Sequence, residues 1–295
     1  MINNMISIPV HERAEVVIDQ ICNYKFFCPE CGIVLHISKG FNWKDSLIKE
    51  ENFLSALSKF ENVFVNPTRL NTAHADMVHT HISNFEYVSK IAEFEYFSME
   101  ASNALFVRHM PPISNCDADF NNNGFLEKML SLYWHSKTLK DEYLYGILAC
   151  LNADFSAVRK SQIEGSFYRK ELFQEIIDVI NKVYRYELVQ NKDRIIYPRE
   201  EIYYPTIASL LNKDGKLKIV HPNYTCIFWG NKNFVPTEQQ IMEVAQGKIQ
   251  GQYAVKRVLR RIDDPARVYI GTQIGNYREQ TLSLIHGKER KVDNG

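Results

Sequence analysis

Short apolar runs alternate with amphipathic stretches at the start of the chain, and this alternation constrains the fold more than any other feature. The run Ile6–Val10 precedes a segment, Glu12–Tyr24, whose apolar side chains recur at helical spacing, and Gly32–Ile37 is a second apolar run. This order predicts a parallel pair of strands joined by a right-handed crossover. Asp45–Phe60 repeats the helical pattern and Val63–Val65 the strand. We therefore predict an α/β fold with a mostly parallel central sheet flanked by helices.

The later segments continue the pattern without an internal repeat, a low-complexity linker or a break in composition. The asparagine-rich segment Asn115–Gly124 is predicted to be a surface loop. Elsewhere we predict helices over Thr72–Ile91, Glu171–Tyr184 and Thr237–Gln246, and strands over Phe94–Met99 and Tyr224–Trp229. A single domain over 1–295 is the simplest organisation, and we divide it into a first half (about 1–110), a second half (about 111–275) and a tail (276–295).

Charge and hydropathy exclude several classes of function. The 35 basic and 35 acidic side chains cancel, which argues against general binding to nucleic acid or to an anionic membrane. The chain has no apolar run long enough for a membrane-spanning helix, which leaves only peripheral membrane association open. The first residues lack the pattern of a signal peptide, and the six cysteines are few and irregularly spaced. These features predict reduced thiols and a cytoplasmic location.

Common cofactor and metal motifs are missing from the sequence. It contains no GxxxxGK[ST], GxGxxG or GxSxG pattern, which disfavours P-loop nucleotide hydrolysis, dinucleotide binding and α/β-hydrolase chemistry. Cys28 and Cys31 have zinc-ligand spacing, but no second such pair follows. His79 and His81 would diverge on a helix, and Asp117-Ala118-Asp119 lies in the asparagine-rich segment without an apolar strand before it. We predict no bound metal and no cofactor.

Polar residues directly follow two of the predicted strands. His11 follows the first strand, and Ser102 and Asn103 follow Phe94–Met99 after a short turn. Sheets of this kind bind ligands at the carboxyl ends of their strands. These three residues are therefore candidates for a ligand site.

Adjacent carboxylates, Glu200 and Glu201, lie beside two aromatic residues, Tyr203 and Tyr204. Partial enclosure by aromatic rings would remove water from a carboxylate and raise its pKa toward a range useful for proton abstraction. Alternatively, both glutamates decorate the start of a helix, where the helix dipole favours acidic side chains. Periodicity alone does not choose between these interpretations.

A basic segment begins at Lys256. If it is helical, Lys256 and Arg260 share one face with Arg257 beside them, a set of cations that suits a diphosphate. The alternative is a solvated basic face paired with Asp263 and Asp264, and on the residues alone this alternative is favoured.

Five short motifs follow one another along the chain: Ile8–His11, Glu95–Asn103, Gly165–Tyr168, Glu200–Thr206 and Ala254–Lys256. In these motifs and in their order the chain resembles the core-2/I-branching glycosyltransferases, from about Ser7 to Ile270. This family comprises metal-independent inverting sugar transferases, including β-1,6-N-acetylglucosaminyltransferases and peptide xylosyltransferases. The resemblance implies a GT-A-like domain that moves a sugar from a nucleotide-diphosphate donor, a UDP-sugar such as UDP-GlcNAc or UDP-xylose, to a glycan or glycolipid hydroxyl. It also implies that the first half (about 1–110) is the nucleotide-binding half and that the second (about 111–275) is the acceptor and catalytic half.

The resemblance also implies roles for individual residues. Glu201 would be the general base. The donor site would comprise His11, Ser102, Asn103, Lys256, Arg257 and Arg260, with either Arg257 or Arg260 replacing a family arginine that would fall near Asn223. The acceptor site would comprise Gly165, Ser166, Glu200, Tyr203 and Tyr204. A non-catalytic carbohydrate- or nucleotide-binding protein of the same fold is the alternative, and a nucleic-acid-binding role based on the basic segment is a weaker one.

Overall fold

The computed structural model describes residues 1–11, 13–71, 77–120, 123–124, 132–189 and 197–286. The strands are β1 (Ile2–Val10), β2 (Gly32–Ile37), β3 (Val63–Val65), β4 (Phe94–Met99), β5 (Ala104–Phe106), β6 (Ala118–Asp119), β7 (Asn123–Gly124), β8 (Arg159–Lys160), β9 (Ser166–Arg169), β10 (Ile219–Val220), β11 (Thr225–Cys226) and β12 (Ala254–Lys256). The α-helices are α1 (Ala14–Phe27), α2 (Glu50–Leu57), α3 (Val78–Ile91), α4 (Leu132–Thr138), α5 (Glu142–Cys150), α6 (Lys170–Val183), α7 (Tyr186–Val189), α8 (Glu200–Leu211), α9 (Glu238–Ala245), α10 (Pro265–Tyr269) and α11 (Arg278–His286).

A seven-stranded sheet forms the centre, in the order β10-β6-β9-β4-β1-β2-β3. Strand β1 pairs in parallel with both β2 and β4, and β3 extends the parallel set beyond β2. Strand β9 is antiparallel to both of its neighbours, β4 and β6. The fold-class prediction of an α/β protein with a mostly parallel central sheet and flanking helices is confirmed.

The core lies on both faces of this sheet, because successive side chains of a strand point to opposite faces. Ile6 on β1 belongs to an apolar cluster that includes Ile21 of α1 and Ile285 of α11. Its neighbour Met5 belongs to a second cluster, with Phe85 of α3 and residues of α6 and α8. A strand that is buried on both faces reads as a continuous apolar run, which is why β1 could be recognised from the sequence.

A smaller sheet brings the basic segment to the central sheet. Strand β12 pairs in parallel with β11 and antiparallel with β5, with Lys256 opposite Ala104. Strand β5 follows β4 after only four residues. The end of β12 therefore lies beside the carboxyl end of β4.

Two local predictions are wrong. The basic segment is not helical, since β12 ends at Lys256 and Arg257 adopts a left-handed backbone with φ of 72°. Residues 115–120 are not a surface loop: Ala118 and Phe120 are buried, and β6 lies inside the central sheet. Most residues of this segment are polar, so its composition does not reveal the few apolar residues that pack into the core. Residues 121 and 122 lie outside the described residues.

Several other expectations concern cysteines, membranes and the tail. Cys28 and Cys31 are joined by a disulfide, contrary to the prediction that all thiols are reduced, whereas the other four cysteines are free. None of the described helices has the length and apolarity to cross a bilayer. In the predicted tail (276–295), α11 spans Arg278–His286, and residues 287–295 lie outside the described residues. Residue 12 of the predicted helix Glu12–Tyr24 and residues 72–76 of the predicted helix Thr72–Ile91 also lie outside them.

Candidate functional site

A cavity of ≈ 360 Å³ opens at the carboxyl ends of β1 and β4. This edge of a parallel sheet is where such folds bind ligands. Six separate segments contribute to its lining, which consists of Pro9, His11, Met77, His81, Glu100, Ala101, Ser102, Asn103, Ile163, Glu164, Glu200, Lys256, Arg257 and Arg260. The cavity thus gathers residues that are up to 251 positions apart in the chain (Pro9 to Arg260).

Two larger cavities lie elsewhere in the described parts of the chain. One of ≈ 700 Å³ lies beside α3 and α7, and one of ≈ 690 Å³ lies near the first residues of β1. The carboxylates that line them, among them Glu86 and Glu187 in the first and Glu61 and Glu93 in the second, are exposed. The smaller cavity is the better candidate, because buried charged groups line it.

An ion pair between Lys256 and Glu164 lies at one wall of this cavity. Lys256 Nζ donates to Glu164 Oε1, and the side chains are only 12% and 8% exposed. The next residue, Gly165, has φ of 76°, and a Cβ atom there would clash with the backbone nitrogen of Thr225. Glycine therefore allows β11 to pack closely against the segment that carries Glu164.

Glu100 is the first residue after β4 and is almost fully buried. Thr225 Oγ1 donates to its Oε1, and the backbone N–H of Ala101 donates to its Oε2 across 3.2 Å. Burial raises the pKa of Glu100 to about 8, and the nearby charge of Glu164 adds to the rise. Glu100 is therefore mostly protonated at neutral pH.

The two adjacent glutamates open α8, so the helix-start interpretation is correct for both. Glu200 also lines the cavity, and its Oε2 accepts from the backbone N–H of Met77 across 3.0 Å. Glu201 is partly exposed and is not among the lining residues. Burial of its carboxyl group, followed by the charges of Glu164 and Glu200, raises its pKa to about 8, while Lys256 and Arg257 act to lower it.

Three buried polar atoms on lining residues have no hydrogen-bond partner among the described residues. They are Oδ1 of Asn103, Oε2 of Glu164 and Nε of Arg257. Leaving a buried polar group without a partner costs about 1–3 kcal/mol, and more for a charged group. Three residues of the cavity wall therefore carry unsatisfied polar atoms, two of them acceptors and one a cationic donor.

Seven of the predicted site residues line the cavity: His11, Ser102, Asn103, Glu200, Lys256, Arg257 and Arg260. Lys256, Arg257 and Arg260 reach it from the end of β12 and the turn that follows, rather than from one face of a helix.

The structure does not bring the other predicted acceptor residues to the cavity. Tyr203 and Tyr204 are 0% exposed, and their hydroxyls donate to Asp141 Oδ2 and to the carbonyl of Val78 across 2.6 and 2.8 Å. Ser166 is buried as well, with its hydroxyl donating to the carbonyl of Ile163. Helix α8 turns both tyrosine rings into the core, so these residues, like Gly165, support the site rather than line it.

Glu100 and Glu164 are not among the site residues predicted from the sequence. Each lies close to one that is, since Glu100 is two positions before Ser102 and Glu164 directly precedes Gly165. His81 also lines the cavity, with its Nδ1 2.9 Å from Ser7 Oγ. Burial lowers the pKa of His81 to about 3, so this imidazole is neutral.

No group of three or more histidine, cysteine, aspartate or glutamate side chains within the described ranges could hold a metal ion. Asp117 accepts from the backbone N–H of Lys218 across 2.8 Å, whereas Asp119 is buried in β6. Independence from metal remains a prediction.

No protein-family model and no curated protein matches the chain. Among solved structures, the galactosyltransferase LgtC in complex with donor and acceptor sugar analogues is 9% identical, with a TM-score of 0.41 and 98% of each chain covered. An active-site mutant of LgtC is also 9% identical, with a TM-score of 0.47 over 92% of this chain and 95% of that one. A nucleoside-diphosphate-sugar pyrophosphorylase from Vibrio cholerae RC9 is 10% identical, with a TM-score of 0.38 over 73% of this chain and 90% of that one.

These likenesses are too distant to carry a functional argument. The core-2/I-branching family is not among these matches, so membership of it stays a prediction. The function has to be argued from the cavity itself.

Proposed function

We propose that the protein is a glycosyltransferase that binds a nucleotide-diphosphate sugar in this cavity and transfers the sugar to a hydroxyl of a glycan acceptor. The observation that carries the proposal is the unmet hydrogen bonding of the cavity wall. Arg257 Nε offers a cationic donor, whereas Asn103 Oδ1 and Glu164 Oε2 offer acceptors. A ligand with anionic oxygens and hydroxyl groups would satisfy both kinds of group, and a nucleotide sugar has both.

The cations would bind the diphosphate. Lys256, Arg257 and Arg260 line the same cavity. Arginine can grip phosphate oxygens through two parallel hydrogen bonds, and a fixed cation stabilises charge that develops on a departing diphosphate. These residues would supply the neutralisation that a divalent metal supplies in other transferases. The family resemblance adds a UDP-sugar as the donor.

The transfer itself would be a single displacement that inverts the anomeric centre. The acceptor oxygen forms a bond to the anomeric carbon as the bond from that carbon to the diphosphate oxygen breaks. Glu201 accepts the hydroxyl proton, and the diphosphate leaves with its charge against Lys256. Proton removal by a positioned base contributes typically about 10²–10⁴-fold to the rate. The raised pKa of Glu201 makes its ionised form a stronger proton acceptor, and with a pKa of about 8 that form becomes more abundant as pH rises toward 8.

A ligand screen with a matched pair of variants tests the proposal. Thermal unfolding is followed with UDP, GDP, CMP and their sugars, and a ligand at 100 times its Kd adds about 2.7 kcal/mol of stability. We expect one nucleotide class to stabilise the protein, and Glu201→Gln to abolish sugar transfer with nucleotide affinity kept. Glu175→Gln, an exposed change on α6, is the control. Failure of every nucleotide to bind would refute the proposal.

Metal independence has its own test. We expect transfer to continue in EDTA, because side-chain cations neutralise the leaving group. Complete loss of transfer in EDTA that Mn²⁺ or Mg²⁺ restores would contradict the cationic account while leaving the reaction class intact.

A non-catalytic binding protein is the second candidate. The observation that favours it is the position of Glu201, which is partly exposed and does not line the cavity. Such a protein would bind the nucleotide sugar without consuming it, so the absence of transfer by the wild-type protein with any acceptor would favour this candidate.

A further inference from the structure

We infer that Glu164 binds a hydroxyl group of the donor sugar through its free oxygen and so helps to select which sugar enters the cavity. The inference rests on the proposed function, since it takes the ligand to be a nucleotide sugar. No sequence motif singled this residue out. The two oxygens of the carboxylate have different surroundings: Oε1 accepts from Lys256, whereas Oε2 has no partner among the described residues.

Burial makes the unpartnered oxygen significant. Glu164 is 6% exposed, so water reaches the carboxylate poorly, yet the residue lines the cavity. An oxygen in this position gains most from a ligand that donates a hydrogen bond. Asn103 presents a second such acceptor, Oδ1, on a residue that is 7% exposed and lines the same cavity. Two acceptors at one cavity fit a polyhydroxylated ring.

The charges around Glu164 determine which kind of hydrogen-bond donor binds to it. Lys256 already neutralises this carboxylate, and Arg257 and Arg260 also line the cavity. A cationic ligand would therefore meet like charges, whereas a neutral hydroxyl meets none. Hydrogen bonds from a neutral donor to a charged acceptor are about twice as strong as those between neutral groups.

The ion pair with Lys256 indicates that the hydroxyl bound by Glu164 belongs to the donor sugar. Lys256 is a proposed ligand of the diphosphate, and Glu164 is bonded to the same ammonium group. In a nucleotide sugar the ring is joined covalently to the distal phosphate. The hydroxyls nearest to a cation on that phosphate are those of the transferred sugar rather than those of the acceptor.

A panel of monodeoxy donor analogues tests the inference, with dissociation constants measured by calorimetry for the wild-type protein and for Glu164→Gln. For the wild type, we expect removal of one particular hydroxyl to weaken binding about tenfold or more, as for the loss of a hydrogen bond to a charged group. In Glu164→Gln, removal of the same hydroxyl should cost only about fivefold, as for the loss of a hydrogen bond between neutral groups, because the charged acceptor is gone. Glu175→Gln should match the wild type.

Each outcome separates the inference from the proposed function. Equal losses in the wild type and in Glu164→Gln for every analogue overturn the inference alone. Failure of the wild type to bind any nucleotide sugar overturns the proposed function and the inference with it. If Glu164→Gln does not fold, Glu164→Asp keeps the charge beside Lys256 but withdraws the oxygen by one methylene. It should lose the same discrimination, and retention of that discrimination overturns the inference.

Discussion

Arg199 Nε donates to Asp141 Oδ2 across 2.9 Å, and both side chains are only 1% exposed. The hydroxyl of Tyr203 donates to the same carboxylate oxygen across 2.6 Å. Arg199 directly precedes α8, and its carbonyl accepts from the N–H groups of Ile202 and Tyr203. This buried ion pair therefore fixes the start of the helix that carries Glu200.

Removal of one partner of this pair should destabilise the protein strongly. Asp141→Ala removes the buried carboxylate that pairs with the guanidinium of Arg199, and we expect a loss of about 3–5 kcal/mol in the free energy of unfolding. Tyr203→Phe removes one hydrogen bond to a charged group and should cost about 1.5–3 kcal/mol. Urea unfolding measures both. Tyr145→Phe, at an exposed tyrosine of α5, is the matched control and should change the free energy by less than about 0.5 kcal/mol.

Lys256 and Glu164 should depend on each other. Lys256→Gln alone leaves a buried carboxylate unpaired and should lower the free energy of unfolding by about 3–5 kcal/mol. The double variant Lys256→Gln/Glu164→Gln replaces the ion pair with two neutral amides, and we expect it to recover most of that loss. Additive effects in the double-mutant cycle would show that the pair does not form in solution. Nucleotide binding should stay weak in the double variant, because the cation is still missing.

Gly165 and Gly215 allow the effect of crowding to be separated from the effect of backbone conformation. Both have positive φ, 76° and 69°, but a Cβ atom would clash with Thr225 at Gly165 and meets nothing within 4 Å at Gly215. Gly215→Ala should cost only the left-handed conformation, about 1–2 kcal/mol. Gly165→Ala should cost more, and it should also weaken ligand binding because the segment carrying Glu164 is displaced. Equal unfolding free energies for the two variants would show that β11 moves aside without cost.

The parts of the fold that the sequence predicts are those that local apolar patterns determine. Strand β4 was predicted with its observed bounds, Phe94–Met99, because a buried strand is a run of apolar residues. The strand end also indicates where Ser102 and Asn103 lie, and in the structure both line the cavity at that edge of the sheet.

The predictions that were wrong concern residues whose conformation depends on partners far away in the sequence. The spacing of Lys256 and Arg260 suits a helix, but Lys256 ends a strand that pairs with Ala104, about 150 residues earlier. The direction of the Tyr203 side chain likewise depends on Asp141, 62 residues away. Neither contact leaves a periodic signal in the sequence.

The raised pKa of Glu100 should make stability fall as pH rises. In the folded protein burial raises this pKa from an ordinary value of 4.5 to about 8. Between these two values the folded state holds a proton that the unfolded chain has released. Unfolding therefore releases a proton, and the stabilising contribution, complete below about pH 4.5, is lost as pH rises through 8. The loss amounts to about 1.4 kcal/mol for each pH unit in which the difference is complete.

Buried histidines change the stability with pH in the opposite direction, so the pH range of the measurement matters. Burial lowers the pKa of His36 and His79 to about 4 and that of His81 to about 3, so their contribution is lost as pH falls below 6.5. Urea unfolding between pH 7 and 9 avoids most of that effect. We expect the wild type to lose stability over this range and Glu100→Gln, which cannot ionise at this position, to lose less. Parallel pH curves for the two proteins would mean that Glu100 of the folded protein does not titrate between pH 7 and 9, which would contradict a pKa of about 8.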